Sequence, residues 1–210
     1  MGEELAKLIE AGFIREIKHP DWLANLVMVP KKDKSWRLCV DFKDLNKACP
    51  KDPFPLPHID QIIDATAGHD SMCFLYAYSG YHQIKMKESD QAATAFITPY
   101  GPFCFNTMPF GLKNADATYQ CMIQTSLEKQ IDKTVETYID DVIIKTRHAK
   151  TLIDDLRLTF DNLRVLTPDF DTAKNLIKMA SNGEVLKVRK FCIIKRRNFH
   201  IWAKAIRSHL

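Results

Sequence analysis

Between Val135 and Ile144 the chain is apolar and β-prone except at its middle, where Asp140 and Asp141 stand side by side. Successive residues of a strand point to opposite faces, so two adjacent carboxylates can face one region only at a tight turn. The stretch therefore reads as a strand pair folded at the aspartates. Carboxylates held this close repel each other unless a cation neutralises them. Oxygen ligands of this kind suit Mg²⁺, which keeps waters and substrate phosphates in its shell. A pair of such ions can clamp the attacking and leaving oxygens of an in-line phosphoryl transfer. An isolated Asp-Asp pair is more often a surface turn, so its surroundings decide.

Those surroundings alternate strand and helix signals. Leu5, Leu8, Ile9 and Phe13 fall at helical spacing over Glu3–Ile14, with Gly12 marking the end. Trp22–Pro30 and Trp36–Phe42 read as strands joined by the polar turn Lys31–Ser35, a hairpin with a basic tip. Pro50, Pro53, Pro55 and Pro57 crowd one short stretch, which forbids helix and favours an extended connector. Helices are expected over Ile59–Ala67, Asn114–Gln130 and Lys150–Val165, and strands over Cys73–Ala77 and Gln91–Ile97. Without βαβ regularity, this order points to an α+β fold.

The apolar share of 46% supports a sizeable core, and the net charge is only +4. That charge is uneven. No Asp or Glu follows Glu184, whereas Lys187, Arg189, Lys190, Lys195, Arg196, Arg197, Lys204 and Arg207 do. A basic tail suits an anionic partner, nucleic acid above all, or is simply a solvated terminus. Cys39, Cys49, Cys73, Cys104, Cys121 and Cys192 form no CxxC pair and read as reduced core residues of an intracellular protein, in cytoplasm or nucleus. No apolar run approaches the ~20 residues of a membrane span, and the acidic N-terminus carries no signal-peptide core.

Several further blocks give the Asp-Asp hairpin its context. Trp36-Arg37-Leu38-Cys39-Val40-Asp41-Phe42 is followed by Leu45-Asn46-Lys47. Phe54-Pro55-Leu56-Pro57 precedes Ile59-Asp60. Then come Tyr78-Ser79-Gly80-Tyr81-His82-Gln83-Ile84 with Thr94-Ala95-Phe96, Met108-Pro109-Phe110-Gly111-Leu112 with Asn114-Ala115 and Thr118-Tyr119-Gln120, and last Tyr138-Ile139-Asp140-Asp141. In this order they resemble the fingers, connector and palm motifs of reverse transcriptases, and most nearly those of gypsy-type long-terminal-repeat retrotransposons common in plant genomes. The resemblance runs from about Leu5 to Arg164. It implies a right-hand polymerase fingers and palm over residues 1–165, followed by a divergent basic tail over 166–210.

The resemblance also implies roles. Asp140 and Asp141 would be catalytic metal ligands for two Mg²⁺ ions. Lys31 and Arg37 would hold the triphosphate of an incoming deoxynucleotide, as their ammonium and forked guanidinium are suited to do. Tyr81 would lie under the sugar and disfavour a 2′-hydroxyl. Phe110 would stand near nucleotide and template, and Gln120 on the template side. By residue type alone, Lys31 and Arg37 are a solvated hairpin tip, Tyr81 and Phe110 are packing residues, and Lys145 beyond the hairpin is solvated. The partners implied are an RNA/DNA primer–template and deoxynucleoside triphosphates.

Two departures matter. Where the family carries an aspartate that bridges both metals, in the strand before Ser-Gly-Tyr, this chain has Tyr76. Tyrosine is neutral near pH 7, with an ordinary pKa of about 10, and its ring is far larger. Asp to Tyr needs a single base change. Glu88 and Asp90 are near in sequence, but nothing marks either as a replacement. After Arg164 the family's Lys-Leu-Asn-Pro-x-Lys-Cys stretch and Phe-Leu-Gly turn give way to Leu166-Thr167-Pro168-Asp169-Phe170 and a basic run, so the thumb is expected to be missing or aberrant. The expected function is template-directed nucleotidyl transfer, inactive or impaired in this copy. The alternative is a non-catalytic relic that binds nucleic acid.

Overall fold

The computed structural model describes residues 2–30, 36–76, 80–164 and 191–195. The chain divides into two compact units, Met1–Pro53 with Ser79–Tyr119, and Phe54–Tyr78 with Gln120–Leu210.

The first unit opens with α1 (Gly2–Glu10), which is shorter than expected. Gly12 takes φ +70°, the Phe13 amide donates to the Leu8 carbonyl at 3.0 Å and the Gly12 amide to Ile9 at 2.9 Å. This is a Schellman cap, and it releases Ile14 into strand β1 (Ile14–Glu16). Strands β2 (Asn25–Pro30) and β3 (Trp36–Asp41) form the expected hairpin, with Val29 opposite Arg37 and Asn25 opposite Asp41. The turn expected over Lys31–Ser35 lies outside the described residues. A short helix α2 (Lys43–Ala48) follows.

Later in this unit the expected strand over Gln91–Ile97 is not one. Helix α4 (Glu88–Gln91) runs into a 3-10 turn (Ala92–Thr94), and only β5 (Phe96–Thr98) is extended. The Thr94 hydroxyl decides this: it donates to the Gln91 carbonyl at 2.7 Å and accepts the Phe105 amide at 2.9 Å. Strand β6 (Gly101–Phe105) joins β1 and β5 in the order β1-β6-β5. The core is Leu5, Ile14, Phe42, Phe96, Phe103 and Phe105, with Leu8, Leu26, Val40 and Leu112 packed on it. Each such burial contributes about 1.5–3 kcal/mol.

The second unit holds α3 (Ile59–Thr66), β4 (Ser71–Tyr76), β7 (Val135–Tyr138), β8 (Asp141–Thr146) and α6 (Leu152–Arg164). Helix α5 (Ala115–Ser126) lies between β6 and β7, and the boundary between the units falls inside it, after Tyr119. The sheet order is β7-β8-β4-β9, all antiparallel, with β9 (Phe191–Lys195) on the outer edge of β4. This is a split βαβ arrangement whose first strand is central. β9 falls within the basic stretch after Arg164; residues 165–190 and 196–210 lie outside the described residues.

Strand β8 is buried from Val142 to Thr146. Ile143 packs on Ile62 and Ile63 of α3. Lys145 is buried too, against the solvated position expected for it. Its ammonium donates to Glu136 at 2.5 Å and to the Ala65 carbonyl at 2.9 Å, so it ties β8 to β7 and to the end of α3. Among the described cysteines, Cys73 and Cys104 are buried, but Cys121 is exposed on α5 and is not a core residue. Among the described residues no helix is long and apolar enough to cross a membrane.

Candidate active site

The aspartates sit where the sequence puts them, at the fold of β7 onto β8. Tyr138 pairs with Asp141, so the connection is the two-residue turn Ile139-Asp140. Ile139 has φ +48°, a region a β-branched residue rarely enters, and Asp140 does not share it. A positive φ at the first turn position alone is the pattern of a type II′ hairpin, which ordinarily takes glycine there.

Strain of this kind persists only where the surroundings over-determine it. Gln120 of α5 supplies that constraint. Its side-chain oxygen accepts the Ile139 amide at 2.7 Å. Its side-chain nitrogen donates to the Thr137 carbonyl at 3.1 Å and to the Thr137 hydroxyl at 2.9 Å. Gln120 is 0% exposed. It was expected on the template side, among the nucleotide-binding residues. Its amide is instead turned inward and holds the carboxylate hairpin from beneath.

Asp140 is half-buried, and its Oδ1 is shut off from solvent. Asp141 is open to solvent along one side, yet enough protein surrounds its carboxyl that desolvation pushes it up from its ordinary value. On the other side of β8, Tyr76 of β4 pairs directly with Asp141. Position 76 is thus the cross-strand neighbour of the second aspartate, where opposed Cα atoms of an antiparallel pair lie about 4.5–5.5 Å apart.

The remaining candidates belong to the first unit. Tyr81 opens a 3-10 turn (Tyr81–Gln83) and is 3% exposed. Its ring stacks on Tyr119 with centroids 5.1 Å apart and meets Phe110 at 4.6 Å. Its hydroxyl donates to Asp116 Oδ1 at 2.7 Å. Gly80 is required here for close approach, since a Cβ would fall 2.7 Å from the Tyr119 hydroxyl and 2.8 Å from its ring. Phe110 is 53% exposed.

The loop carrying Phe110 is clamped by Asn46, which donates to the Gly111 carbonyl at 2.8 Å and accepts the Lys113 amide at 2.8 Å. Asn114 grips the connector reciprocally, donating to the Pro50 carbonyl at 2.9 Å and accepting the Asp52 amide at 3.0 Å. Nothing in residue type marks these amides as clamps, or Asp116 as the partner of Tyr81; a first-turn acid reads as helix dipole complement. Arg37 lies on β3 opposite Val29, and Lys31 lies outside the described residues. Glu88 and Asp90 belong to α4 of the first unit.

Compared with known proteins, residues 29–187 match the family described as reverse transcriptase (RNA-dependent DNA polymerase). The chain belongs to the reverse transcriptase family. It is 38% identical over 165 residues to the Retrovirus-related Pol polyprotein from transposon opus of Drosophila melanogaster, covering 76% of this chain and 16% of that one. It is 33% identical over 138 residues to the RNA-directed DNA polymerase homolog of Oenothera berteroana, 64% of this chain and 97% of that one. The Transposon Tf2-3 polyprotein of Schizosaccharomyces pombe is 33% identical over 161 residues, covering 75% of this chain and 12% of that one. The matched stretch is thus a small part of the length of these polyproteins and nearly the whole of the Oenothera protein. The fold is that of the prototype foamy virus protease–reverse transcriptase, with TM-score 0.69 at 21% identity over 76% of this chain and 21% of that one. The foamy viral enzyme in complex with double-stranded DNA gives TM-score 0.70 at 20% identity, covering 77% and 33%. The α+β fingers and palm expected from the sequence are therefore the fold of this reverse transcriptase domain.

Reverse transcriptases use divalent metal ions, and the donor set decides whether this chain fits them. Among the described residues no group of three or more His, Cys, Asp or Glu side chains is placed to hold a metal ion. Asp140 and Asp141 suit one hard cation that keeps most of its shell as water and phosphate oxygen. They fall a carboxylate short of a two-ion site.

Proposed function

We propose that this chain is a reverse transcriptase domain whose polymerase chemistry is silenced or severely impaired at position 76, and which retains affinity for a primer–template. The observation that carries the reading is the register that makes Tyr76 the cross-strand neighbour of Asp141. An aspartate there would stand beside the hairpin carboxylates and complete a three-carboxylate set. A tyrosine supplies neither charge nor a small ligand. Losing one preorganised catalytic group lowers a rate by about 10²- to 10³-fold, and loss of a shared metal ligand is expected to cost at least as much.

The family's reaction is attack of a primer 3′-hydroxyl on the α-phosphate of a deoxynucleotide, with pyrophosphate leaving. Mg²⁺, when bound, supplies the charge neutralisation for it. The residues assigned to that work here are Asp140 and Asp141 for metal, Lys31 and Arg37 for triphosphate, Tyr81 for the sugar and Phe110 for the base and template side. Gln120 acts on the hairpin rather than on the nucleotide. Nucleic acid as partner is supported by the foamy viral relatives, whose complexes hold an RNA/DNA hybrid or double-stranded DNA, and by the basic residues after Glu184. Such binding is expected to weaken steeply with salt and to ignore sequence.

Primer extension on an RNA template with Mg²⁺ tests the reading. The native chain is expected to extend nothing and Tyr76→Asp to extend. Extension by the native chain at the rate of the Tyr76→Asp variant would overturn it.

A further inference from the structure

Tyr81 is held in a way that packing alone does not require. Its ring is already confined by Tyr119 and Phe110, and Gly80 leaves room only for the Tyr119 ring beside it. Stacked rings of this kind still slide and pivot in their plane. A directional tie is added by the 2.7 Å hydrogen bond from the Tyr81 hydroxyl to Asp116 Oδ1, which joins the 3-10 turn to the first turn of α5. A hydroxyl donating to a carboxylate is roughly twice as strong as a neutral pair and directional. The first turn of a helix also favours a negative charge, so Asp116 is stably placed to receive it. Asp116 itself is exposed, whereas the ring it holds is buried.

We propose that Asp116 is a positioning residue for Tyr81, and that selection for deoxyribose over ribose depends on it. The proposal rests on the assignment of Tyr81 to the sugar. A ribose differs from a deoxyribose by one oxygen, so a wall that rejects it works only while its edge is fixed to a fraction of an ångström. Stacking sets the plane of the Tyr81 ring, and the Asp116 carboxylate sets how far the ring reaches.

The test is equilibrium binding of a deoxynucleoside triphosphate and the matching ribonucleoside triphosphate to the full chain. The chain carries an RNA template with a dideoxy-terminated primer, so no turnover is needed. The native chain is expected to prefer the deoxynucleotide. Asp116→Ala and Tyr81→Phe each reduce that preference about tenfold, the loss of one hydrogen bond to a charged group. Combining them costs nothing further, because both remove the same bond. Asp116→Asn, which keeps an acceptor oxygen, restores most of the preference, and a thermal transition shared by all variants excludes unfolding as the cause.

If Asp116→Ala keeps the native ratio while Tyr81→Ala flattens it, Tyr81 faces the sugar but Asp116 does not position it, and the proposal is overturned. A native chain without preference overturns the sugar role of Tyr81 and the Asp116 role together.

Discussion

Replacing Gln120 by methionine, which has nearly its shape and no amide, should loosen the carboxylate hairpin more than any surface change on it. Gln120 is fully buried and makes three hydrogen bonds, to the Ile139 amide, the Thr137 carbonyl and the Thr137 hydroxyl. Methionine leaves those groups without the amide. Each buried group left unsatisfied costs about 1–3 kcal/mol, and the Thr137 hydroxyl can rotate to recover part of its share. The expected loss is about 2–5 kcal/mol, a large fraction of the roughly 5–15 kcal/mol that holds a domain folded. The loss is also local, because Ile139 sits at φ +48° and has no reason to stay there once its amide is released. Urea unfolding gives the global number, and hydrogen exchange at the Ile139 amide gives the local one. Gln120→Glu is the discriminating control: it keeps an acceptor for Ile139 but turns a second oxygen towards the Thr137 carbonyl, so it should protect the amide only while protonated. A loss below about 0.5 kcal/mol in Gln120→Met, with unchanged exchange at Ile139, would mean that Gln120 does not hold the hairpin.

Lys145→Met should destabilise the second unit by about 3–5 kcal/mol, because it strands Glu136 in a buried site, whereas Lys145→Met with Glu136→Leu should recover most of that in urea unfolding. Gly80→Ala should cost about 1–3 kcal/mol through its clash with the Tyr119 ring, and Tyr119→Leu in the same chain should relieve it, read by thermal unfolding. His82 stacks on Phe13 with centroids 4.6 Å apart and lies against Phe105, and burial lowers its pKa below the ordinary 6.5. The unfolded chain therefore binds the proton first, so stability is full above that pH and falls as pH drops below it. A His82→Phe variant should lose that slope in unfolding measured across the acid range.

The sequence carried the parts of this fold that short-range pattern determines. The Asp-Asp interruption of an apolar run predicted the β7–β8 hairpin, and the spacing of Leu5, Leu8 and Ile9 predicted α1. What it hid are elements defined by partners distant in sequence. β1 is only Ile14–Glu16 and exists because Phe103, Cys104 and Phe105 pair with it. The helical turn through Ala92–Thr94 depends on a Thr94 hydroxyl bound at both ends.

The site divides in the same way. Asp140, Asp141 and the tyrosine at 76 are recognisable by motif, but the direct pairing of Tyr76 with Asp141 needs the register. Lys145 looks solvated until the hairpin sets it diagonally across from Glu136, a pairing that follows once Tyr138 is known to face Asp141. Gln120 on a helix gives no sign of direction, since the same residue type serves a surface or a buried clamp equally well.

On the reading proposed, this reverse transcriptase palm keeps its carboxylate hairpin and lacks one metal-binding carboxylate at position 76. Titration of the full chain with Mn²⁺, an Mg²⁺ stand-in that paramagnetic resonance can count, tests it directly. The native chain should bind weakly, Tyr76→Asp at least about tenfold more tightly, as expected when a third carboxylate joins the site, and Tyr76→Asp with Asp141→Asn should fall back towards the native value. Equal Mn²⁺ affinity in the native chain and Tyr76→Asp would mean that position 76 does not belong to the metal site.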